Sequence, residues 1–554
     1  MGKLRSNHIL GFILVFGLLL RLWGIKAGLP FLAHDNEEIS VIRALRMGSD
    51  GLNPNYFAYP THYIYILFAM DIIYFTIGKL FGLFSSAHQF ANSFFANQSA
   101  IYLIARCTTA FYGVLTILTA YFTGKKLYDA KTGLISAFFM SLLFIHVKDS
   151  HYATVDVPVT FYVSLSIMFA AYAMIEGKLI YSLLSGFIGG LAIATKYPAG
   201  VIVVPLLLAN LFMPTQNSRR LKYLFLCYLC LLLGFFIGCP YALLDWPTFW
   251  PDVKYVIDEG GLVSRDVMSG RSGYEYYFLY ALPKGLGIFI YMLSVVGVGY
   301  AILKHQRKDI FILSFPVIFL LLMGRSYFFY ERYTLPAIPA LVILGSLAFT
   351  RFIAPLISKN KLLYAGVLLL VIIEPLYKTI EQNYVFAATD TRISAKNWIE
   401  SNIPAGKNIV IEPYGPPLNY SEKTILELLK ESKQEDNNKG RYFQYLLDNP
   451  VNSPVYNIYN IPVSITKLEY KEFNEYVKAG YQYFIVTNPY EKEKGKIRIT
   501  MKKEQFGDAQ EISDKILRFY NDIKNNSVLL KGFEPKARWG NPGPSIQIYK
   551  LKSA

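Results

Sequence analysis

Long apolar runs constrain the fold of this chain more than any other feature of its sequence. They lie near residues 8–25, 62–83, 100–123, 132–148, 157–175, 180–195, 197–213, 222–244, 285–303, 309–324, 333–350 and 362–380. A helix needs roughly 17 to 25 apolar residues to cross a bilayer, and several runs are that long. Only 17% of the residues are charged, whereas soluble domains carry about 25%. These features predict a polytopic α-helical membrane protein and exclude a soluble enzyme, a fibrous protein and a disordered one.

The formal net charge of +16 is interpreted as an orientation signal, because Lys and Arg collect in the cytoplasmic loops of membrane proteins. Basic clusters stand at 3–5, 125–131, 178, 219–222, 304–308 and 351–361. All lie on one side if the run at 62–83 does not cross the membrane. That run contains Asp71 and Lys79, which are costly at bilayer depth. We therefore expect about eleven spans, with the N-terminus inside and the C-terminal region outside.

The composition changes near residue 385, where polar residues become frequent and short strand-like runs, such as 408–411, 483–486 and 545–550, alternate with helical stretches. This change predicts a membrane domain over 1–384, with outer loops at 26–99 and 245–284, followed by a soluble α/β domain over 385–554. The four cysteines all lie in apolar segments, which gives no support for a disulfide framework or a zinc site. The first apolar run is interpreted as a retained span, because no small-residue cleavage site follows it.

Two of the predicted outer loops carry acidic residues. The first loop contains Asp35 and Glu37 around Asn36, and a carboxylate there could accept a proton from a substrate hydroxyl. A capping box from Asp35 to Glu38 is the simpler alternative. The second loop contains His151 and Asp156, where Asp156 could instead be a helix N-cap. Two acidic sites on one face also suit a divalent cation or a base and its orienting partner.

Basic residues gather on the same predicted face, against the positive-inside trend. Lys196 and Arg332 each lie beside a tyrosine and a proline, and loop 245–284 adds Lys254, Arg265, Arg271 and Lys284. Each side chain could snorkel, or pair with Glu331. Several cations beside carboxylates indicate a binding site for a phosphate at the lipid boundary. An outer-face enzyme using a phosphorylated donor needs a donor anchored in the membrane, and a lipid-linked sugar phosphate meets that need.

Four motifs in order carry a resemblance to a known family. They are Leu-Asn-Pro-x-x-Phe-x-Tyr-Pro-Thr (52–61), His-Tyr-Ala-Thr-Val-Asp-Val-Pro (151–158), Ala-Thr-Lys-Tyr-Pro-Ala-Gly (194–200) and Arg-Tyr-x-Leu-Pro-x-x-Pro (332–339). Over about residues 8–380 the chain resembles the phospholipid-carrier-dependent glycosyltransferases of the GT-C class. Their relatives include the protein O-mannosyltransferases and the lipid A aminoarabinose transferases.

The resemblance implies inverting transfer of a sugar from a polyprenyl-phosphate donor to an acceptor hydroxyl at the outer face of a plasma membrane. The family usually has an Asp-Glu pair in its first outer loop, with Asp as the base. Here the pair is interrupted, so the catalytic base is Asp35 or, in the other register, Glu37. The other roles implied are donor phosphate binding by Lys196, Arg332, Arg265 and Arg271; a second acidic site at Asp156 and His151; and substrate positioning by His34, Tyr59, Tyr197 and Tyr333.

The resemblance leaves the cofactor and the acceptor open. Members of the class differ in metal dependence, so a Mg²⁺ or Mn²⁺ ion held by Asp35 and Asp156 is one alternative. The acceptor could be a protein, a lipid or a glycan; the lipid bilayer is an expected partner and nucleic acid is not. A multi-span transporter of a lipid-linked or anionic substrate is the main competing function, although its key groups would lie near mid-bilayer. A membrane scaffold and a diphosphate-dependent polymerase or ligase are further alternatives.

Overall fold

The computed structural model describes residues 2–31, 35–258, 272–326, 329–432, 437–462, 470–487, 509–535 and 542–552. The chain divides into two compact units. The first holds Met1–Ile25, His34–Ser85 and Ala100–Asn383; the second holds Lys26–Ala33, Ser86–Ser99 and Tyr384–Ala554. Two short segments of the predicted loop 26–99 therefore group with the C-terminal residues, although they are far from them in sequence.

Helices make up the first unit. In chain order the helices are α1 (Gly2–Leu22), α2 (Asp35–Asp50), α3 (His62–Leu80), α4 (Ala87–Ala96), α5 (Ser99–Leu127), α6 (Ala130–Leu142), α7 (Phe144–Asp149), α8 (Asp156–Glu176), α9 (Leu179–Ile193), α10 (Val203–Phe212), α11 (Asn217–Gly238), α12 (Tyr241–Leu244), α13 (Trp246–Ile257), α14 (Gly273–Tyr276), α15 (Leu282–Leu286), α16 (Ile288–Lys304), α17 (Arg307–Met323), α18 (Ile338–Ala348), α19 (Ala354–Ile357) and α20 (Lys361–Ala387). Of these, α4 belongs to the second unit. Short 3-10 helical turns at Tyr197–Ile202 and Glu331–Ala337 precede α10 and α18.

Within the described residues, six helices are long and apolar enough to cross a membrane, and a bent pair adds a seventh. Shorter apolar helices include Ser6–Leu22, Ala130–Leu142, Leu179–Ile193 and Tyr197–Phe212. The run expected to lie at the surface is a helix, His62–Leu80, that meets the same length and composition criteria. Its Asp71 is buried within the protein, which lessens the argument from charge against a span. The count of eleven spans remains a prediction.

A six-stranded sheet forms the centre of the second unit. Its strands are β1 (Asn408–Ile411), β2 (Asn419–Tyr420), β3 (Val455–Asn460), β4 (Tyr483–Thr487), β5 (Ser527–Phe533) and β6 (Ile546–Leu551), in the order β2-β3-β1-β4-β6-β5. The pairs among β2, β3, β1 and β4 are parallel, whereas β6 and β5 add on antiparallel. The helices are α21 (Thr391–Asn402), α22 (Glu422–Ser432), α23 (Asn437–Asp448), α24 (Phe473–Lys478) and α25 (Ala509–Asn526).

The central strands are apolar on both faces, as expected for parallel strands covered by helices on each side. Ile409 and Ile411 face a core that includes Ile399 of α21. Val410 and Phe484 face a second core, which includes Phe519 of α25. Alternate residues of β1 thus enter opposite cores, as the two-residue repeat of a strand requires.

Candidate active site

Glu37 is fully buried and accepts three charge-assisted or backbone hydrogen bonds. The Arg106 guanidinium of α5 donates from Nε at 2.8 Å and from Nη2 at 2.7 Å, and the Ala153 N–H donates at 2.8 Å. Arg106 also donates from Nη1 to the Ile25 carbonyl at 2.9 Å. Both carboxylate oxygens are therefore occupied. This geometry does not suit a base that must receive a proton from an acceptor, so Glu37 fits a structural role better than a catalytic one.

The same contacts join the two predicted acidic loops. Glu37 lies in the first turn of α2, while Ala153 lies three residues before Asp156. The bidentate Arg106–Glu37 pair therefore fixes the first loop against the second. Asp35 is the first residue of α2; its side chain, together with His34, lies outside the part of the chain that the structure describes.

Asp156 holds two cations from distant parts of the first unit. Lys196 Nζ lies 2.6 Å from Oδ1 of Asp156, and Arg332 Nε lies 3.5 Å from Oδ2. The Asp156 side chain is only 5% exposed, whereas those of Lys196 and Arg332 are 14% and 18% exposed. The helix-capping alternative is not observed, since Val155 is the N-cap of α8 and Asp156 is its first helical residue. The structure thus brings two of the residues predicted for donor phosphate binding, Lys196 and Arg332, to the predicted second acidic site at Asp156.

Prolines and helix breaks explain why these side chains are available. Asp156 begins α8 with Pro158 in its first turn, and Lys196 lies in the break between α9 and the turn at Tyr197–Ile202. Arg332 lies in the turn at Glu331–Ala337, which precedes α18. Residues at helix ends can project side chains along the helix axis direction, away from the apolar flanks of the bundle.

Tyrosines surround the two cations. Lys196 Nζ lies 4.2 Å from the centre of the Tyr333 ring. The central carbon of the Arg332 guanidinium lies 5.7 Å from the centre of the same ring. A ring shared by two cations stabilises both charges and reduces their mutual repulsion. Burial raises the pKa of Tyr59 to about 12, with nearby Lys196 opposing the shift. Its hydroxyl therefore remains protonated at neutral pH and can donate to an anion. Tyr197 instead donates to the Phe57 carbonyl at 2.8 Å, which anchors the 52–61 segment.

Glu331 forms a second group of charges. It accepts from Lys284 Nζ at 2.5 Å and from Lys148 Nζ at 3.4 Å. The sequence alternative in which an outer basic residue pairs with Glu331 is therefore observed for Lys284, whereas Arg332 faces Asp156 and the contact with Lys148 was not predicted. Because residues 331 and 332 are consecutive, the two groups adjoin, and a further buried carboxyl, Asp149, lies within electrostatic reach of both. Arg265 and Arg271, also predicted to bind phosphate, lie outside the described residues.

The described residues contain no group of three or more His, Cys, Asp or Glu side chains that could hold a metal ion. His151 is buried, and its ring nitrogens lie 2.8 Å and 3.0 Å from the carbonyl oxygens of Val147 and Trp23. Neither nitrogen is then free for a metal. Asp156 already faces two cations, so the residues seen at this site do not fit a divalent ion. The pair proposed from sequence, Asp35 with Asp156, is only half described.

Comparisons with known proteins match part of the chain to one family model and one relative. A family model described as dolichyl-phosphate-mannose-protein mannosyltransferase matches residues 87–243. A protein of Aquifex aeolicus (strain VF5) without an assigned function is 26% identical over 243 residues, which cover 42% of this chain and 46% of that protein. The chain therefore spans less than half the length of this relative.

Two solved structures share the fold along almost the whole chain. ArnT from Cupriavidus metallidurans in the apo state has a TM-score of 0.53 and 12% sequence identity, covering 97% of this chain and 98% of that one. The structure of the same protein bound to undecaprenyl phosphate has a TM-score of 0.50 and 14% identity, covering 98% of both chains. At this identity the likeness shows the fold. The family match over residues 87–243 and the shared fold both agree with the resemblance to the GT-C class of membrane glycosyltransferases that the sequence motifs carry.

Proposed function

We propose that this protein transfers a sugar from a polyprenyl-phosphate donor to an acceptor hydroxyl, with inversion at the anomeric carbon. The observation that carries the proposal is the Asp156 group, in which two cations share one buried carboxylate. Its net positive charge and its place at helix ends suit a phosphate on a membrane-anchored carrier. The ligand of the ArnT structure, undecaprenyl phosphate, has the same chemistry and supports the assignment.

Asp156 has a positioning role in this proposal. Without donor, Lys196 and Arg332 would repel each other, and Asp156 holds both in place. A phosphate oxygen that approaches the partly exposed cations gains charge-assisted hydrogen bonds without a large rearrangement. Preorganised cations of this kind stabilise the charge that grows on the phosphate as it leaves. No acid catalyst is then needed for departure of the polyprenyl phosphate.

We assign the base to Asp35 instead of Glu37. The oxygen of the acceptor hydroxyl attacks the anomeric carbon while the bond from that carbon to the phosphate oxygen breaks. The hydroxyl proton passes to the Asp35 carboxylate, and polyprenyl phosphate leaves with the electron pair. One displacement inverts the configuration and needs no covalent intermediate. Asp35 is preferred as the base because Glu37 is fully buried and both of its carboxylate oxygens already accept hydrogen bonds.

The proposal extends to location and partners. The site faces the outside of a plasma membrane, the donor and the bilayer are partners, and the acceptor is a protein, lipid or glycan hydroxyl. The basic clusters that orient the chain in the sequence support this sidedness. In this proposal the cations that neutralise the phosphate are Lys196 and Arg332.

Binding of polyprenyl phosphate, the released carrier, tests the phosphate site without knowledge of the sugar. Purified protein in detergent would be titrated with polyprenyl phosphate and with the matching polyprenol. We expect Lys196→Ala and Arg332→Ala each to weaken phosphate binding by about 10-fold to 100-fold, the value of one charged hydrogen bond. Lys178→Ala is the matched control, since Lys178 pairs with Glu176 and is 62% exposed. Equal affinity for polyprenol and polyprenyl phosphate would contradict the proposal.

A further inference from the structure

A row of large apolar side chains is exposed along the short helices α12 and α13. Leu244 is 74% exposed, Trp246 53% and Trp250 47%. The two indole rings stack with their centres 5.6 Å apart and their planes at 8° to each other, so they form one flat surface. The row also includes Leu243, Tyr255 and Ile257. A contiguous apolar surface of this kind marks a contact site for a protein or a membrane.

The opposite face of α13 packs against the first unit. Phe249 is buried in a cluster with Phe57, Ala194, Cys239 and Ala242. Asp252, three residues later, accepts from the Phe57 N–H at 2.7 Å. Since Trp246 and Trp250 are four residues apart, they share the other face of the helix. α13 is therefore amphipathic, with one face packed and the other exposed.

The place of α12 and α13 in the chain indicates that lipid covers the exposed face. They directly follow α11, which is long and apolar enough to cross a membrane. The apolar residues of α11 that are exposed include Leu229, Leu233 and Ile237, so the exposed apolar surface continues from α11 onto α12 and α13. Tryptophan is enriched where the hydrocarbon of a bilayer meets the headgroups. Lys254, which is also exposed, has a side chain long enough to reach lipid phosphates from this depth.

The packed face of α13 holds two of the segments that carry the phosphate site. The rings of Phe57 and Tyr197 lie 5.4 Å and 6.5 Å from the ring of Phe249. Tyr197 directly follows Lys196 in the chain, and its hydroxyl donates to the Phe57 carbonyl at 2.8 Å. The depth at which α13 lies therefore limits the depth at which Lys196 can lie.

We propose that α12 and α13 form an interfacial segment, which lies in the headgroup layer of a phospholipid bilayer and holds Lys196 at the depth of the lipid phosphates. The lipid contact is independent of the proposed function, whereas its effect on donor binding rests on that function. The phosphate of a membrane-anchored carrier lies at the same depth as the phosphates of the surrounding lipids. A segment fixed at this depth therefore brings Lys196 to the level of the donor phosphate.

Depth-dependent quenching of tryptophan fluorescence tests the lipid contact. The chain has five tryptophans, and full-length variants that keep only Trp246 or only Trp250, with phenylalanine at the other four positions, would be placed in phosphatidylcholine bilayers. The lipids would carry bromine either near the headgroup or near the end of the acyl chain. We expect the shallow bromines to quench both tryptophans more strongly than the deep bromines do, because an interfacial ring lies near the headgroups.

The matched control is Phe225→Trp in a tryptophan-free background. Phe225 is 69% exposed and lies well inside α11, so the deep bromines should quench it more strongly. If the single-tryptophan variants do not fold, Trp246→Phe with Trp250→Phe in the otherwise native chain should remove most of the shallow quenching. Negligible quenching of Trp246 and Trp250 by both lipids would show that protein or water covers them. That result, or stronger quenching by the deep bromines, would overturn the proposal.

Donor turnover tests the effect on the phosphate site. In proteoliposomes, we expect Trp246→Ser with Trp250→Ser to raise KM for the polyprenyl-phosphate sugar about 10-fold, because the segment loses its interfacial anchors. In detergent, which adapts to the shape of the protein, KM should change by less than a factor of about two, since Lys196 and Arg332 are untouched. Trp246→Tyr with Trp250→Tyr should restore KM in proteoliposomes, because tyrosine also prefers the interface.

An equal rise in KM in detergent and in proteoliposomes would assign the two tryptophans to packing and overturn their role in setting depth. If the wild-type protein turns over no donor in either medium, the proposed function fails, and the quenching measurement alone decides the lipid contact.

Discussion

Glu37 lies two residues after Asp35, yet its environment differs from what a general base requires. The carboxylate is enclosed, and it meets the two donors of Arg106 and one backbone N–H. A buried charge of this kind is stable only while its partner is present. The sequence did contain a signal for the pair, because Arg106 lies in the apolar run 100–123, where an arginine needs a partner. The identity of that partner, 69 residues away, could not be inferred from local pattern.

Removing one member of this pair should destabilise the protein strongly. We expect Arg106→Ala to lower the free energy of unfolding by about 3–5 kcal/mol, since Glu37 would be left buried without a countercharge. The double variant Arg106→Met with Glu37→Leu should lose much less, because no charge remains to be desolvated. Thermal unfolding in detergent would measure both. Equal losses in the single and double variants would show that packing, and not charge, governs this position.

More of the phosphate site than of the Arg106–Glu37 pair could be predicted from the sequence. Asp156, Lys196 and Arg332 were selected because basic and acidic residues shared one predicted face, and the structure brings the three together. The contact between Lys148 and Glu331 could not be predicted in this way. Lys148 adjoins an apolar run, and its contact with Glu331 spans 183 residues, so no short motif contains both.

At the scale of elements, the sheet of the second unit shows which features depend on local pattern. The apolar runs at 408–411 and 483–486 predict strands, and both are strands in the structure. The order β2-β3-β1-β4-β6-β5 depends on pairings between distant segments. β2 is only two residues long, too short for a periodic signal, so neither it nor the order could be inferred from sequence alone.

Glu412, directly after β1, makes the stability of this sheet depend on pH. Burial raises its pKa to about 7, and donation from the Tyr470 O–H at 2.8 Å and the Thr487 N–H at 2.7 Å opposes the rise. When the pKa of a carboxyl is higher in the folded state than in the unfolded state, the folded protein binds more protons at pH values between the two pKa values. Its contribution is therefore present below its ordinary pKa of 4.5 and is lost as the pH rises to about 7.

We expect the unfolding midpoint of the C-terminal unit to fall as pH rises through this window. The free energy of unfolding should fall by about 3 kcal/mol at most across this window. Each pH unit over which the folded and unfolded states differ by one bound proton changes it by about 1.36 kcal/mol. Glu412→Gln should remove most of this slope while keeping the hydrogen-bonding shape. Scanning calorimetry at several pH values would measure both proteins. A slope that is unchanged in Glu412→Gln would assign the dependence to other groups.

At the scale of the whole molecule, the division into two units follows composition only in part. The change near residue 385 marks the start of the main C-terminal segment, and the second unit resumes at Tyr384. Ser86–Ser99 and Lys26–Ala33 join the same unit, which sequence composition could not show. Their grouping depends on contacts such as that of Phe95 with Tyr445, which become visible only when the chain is folded.

Orientation in the membrane is a prediction at this scale. We expect a cysteine at Lys531→Cys in the C-terminal unit to react with an impermeant maleimide in intact cells, whereas one at Lys125→Cys should react only after lysis. Both would be made in a background with Cys107, Cys227, Cys230 and Cys239 replaced by serine. The basic clusters, which favour the cytoplasmic side, are the physical reason. Reaction at Lys125→Cys alone in intact cells would reverse the predicted sidedness.

The most direct test of the central claim is turnover of lipid-linked donors by the purified protein. A panel of polyprenyl-phosphate sugars would be supplied with membrane extract as a source of acceptor, and release of free polyprenyl phosphate would be followed. We predict release with at least one donor, a loss of about 100-fold or more in Asp35→Asn, as expected for removal of a general base, and retained donor binding in that variant. Full activity of Asp35→Asn in a preparation that turns over donor would contradict the account.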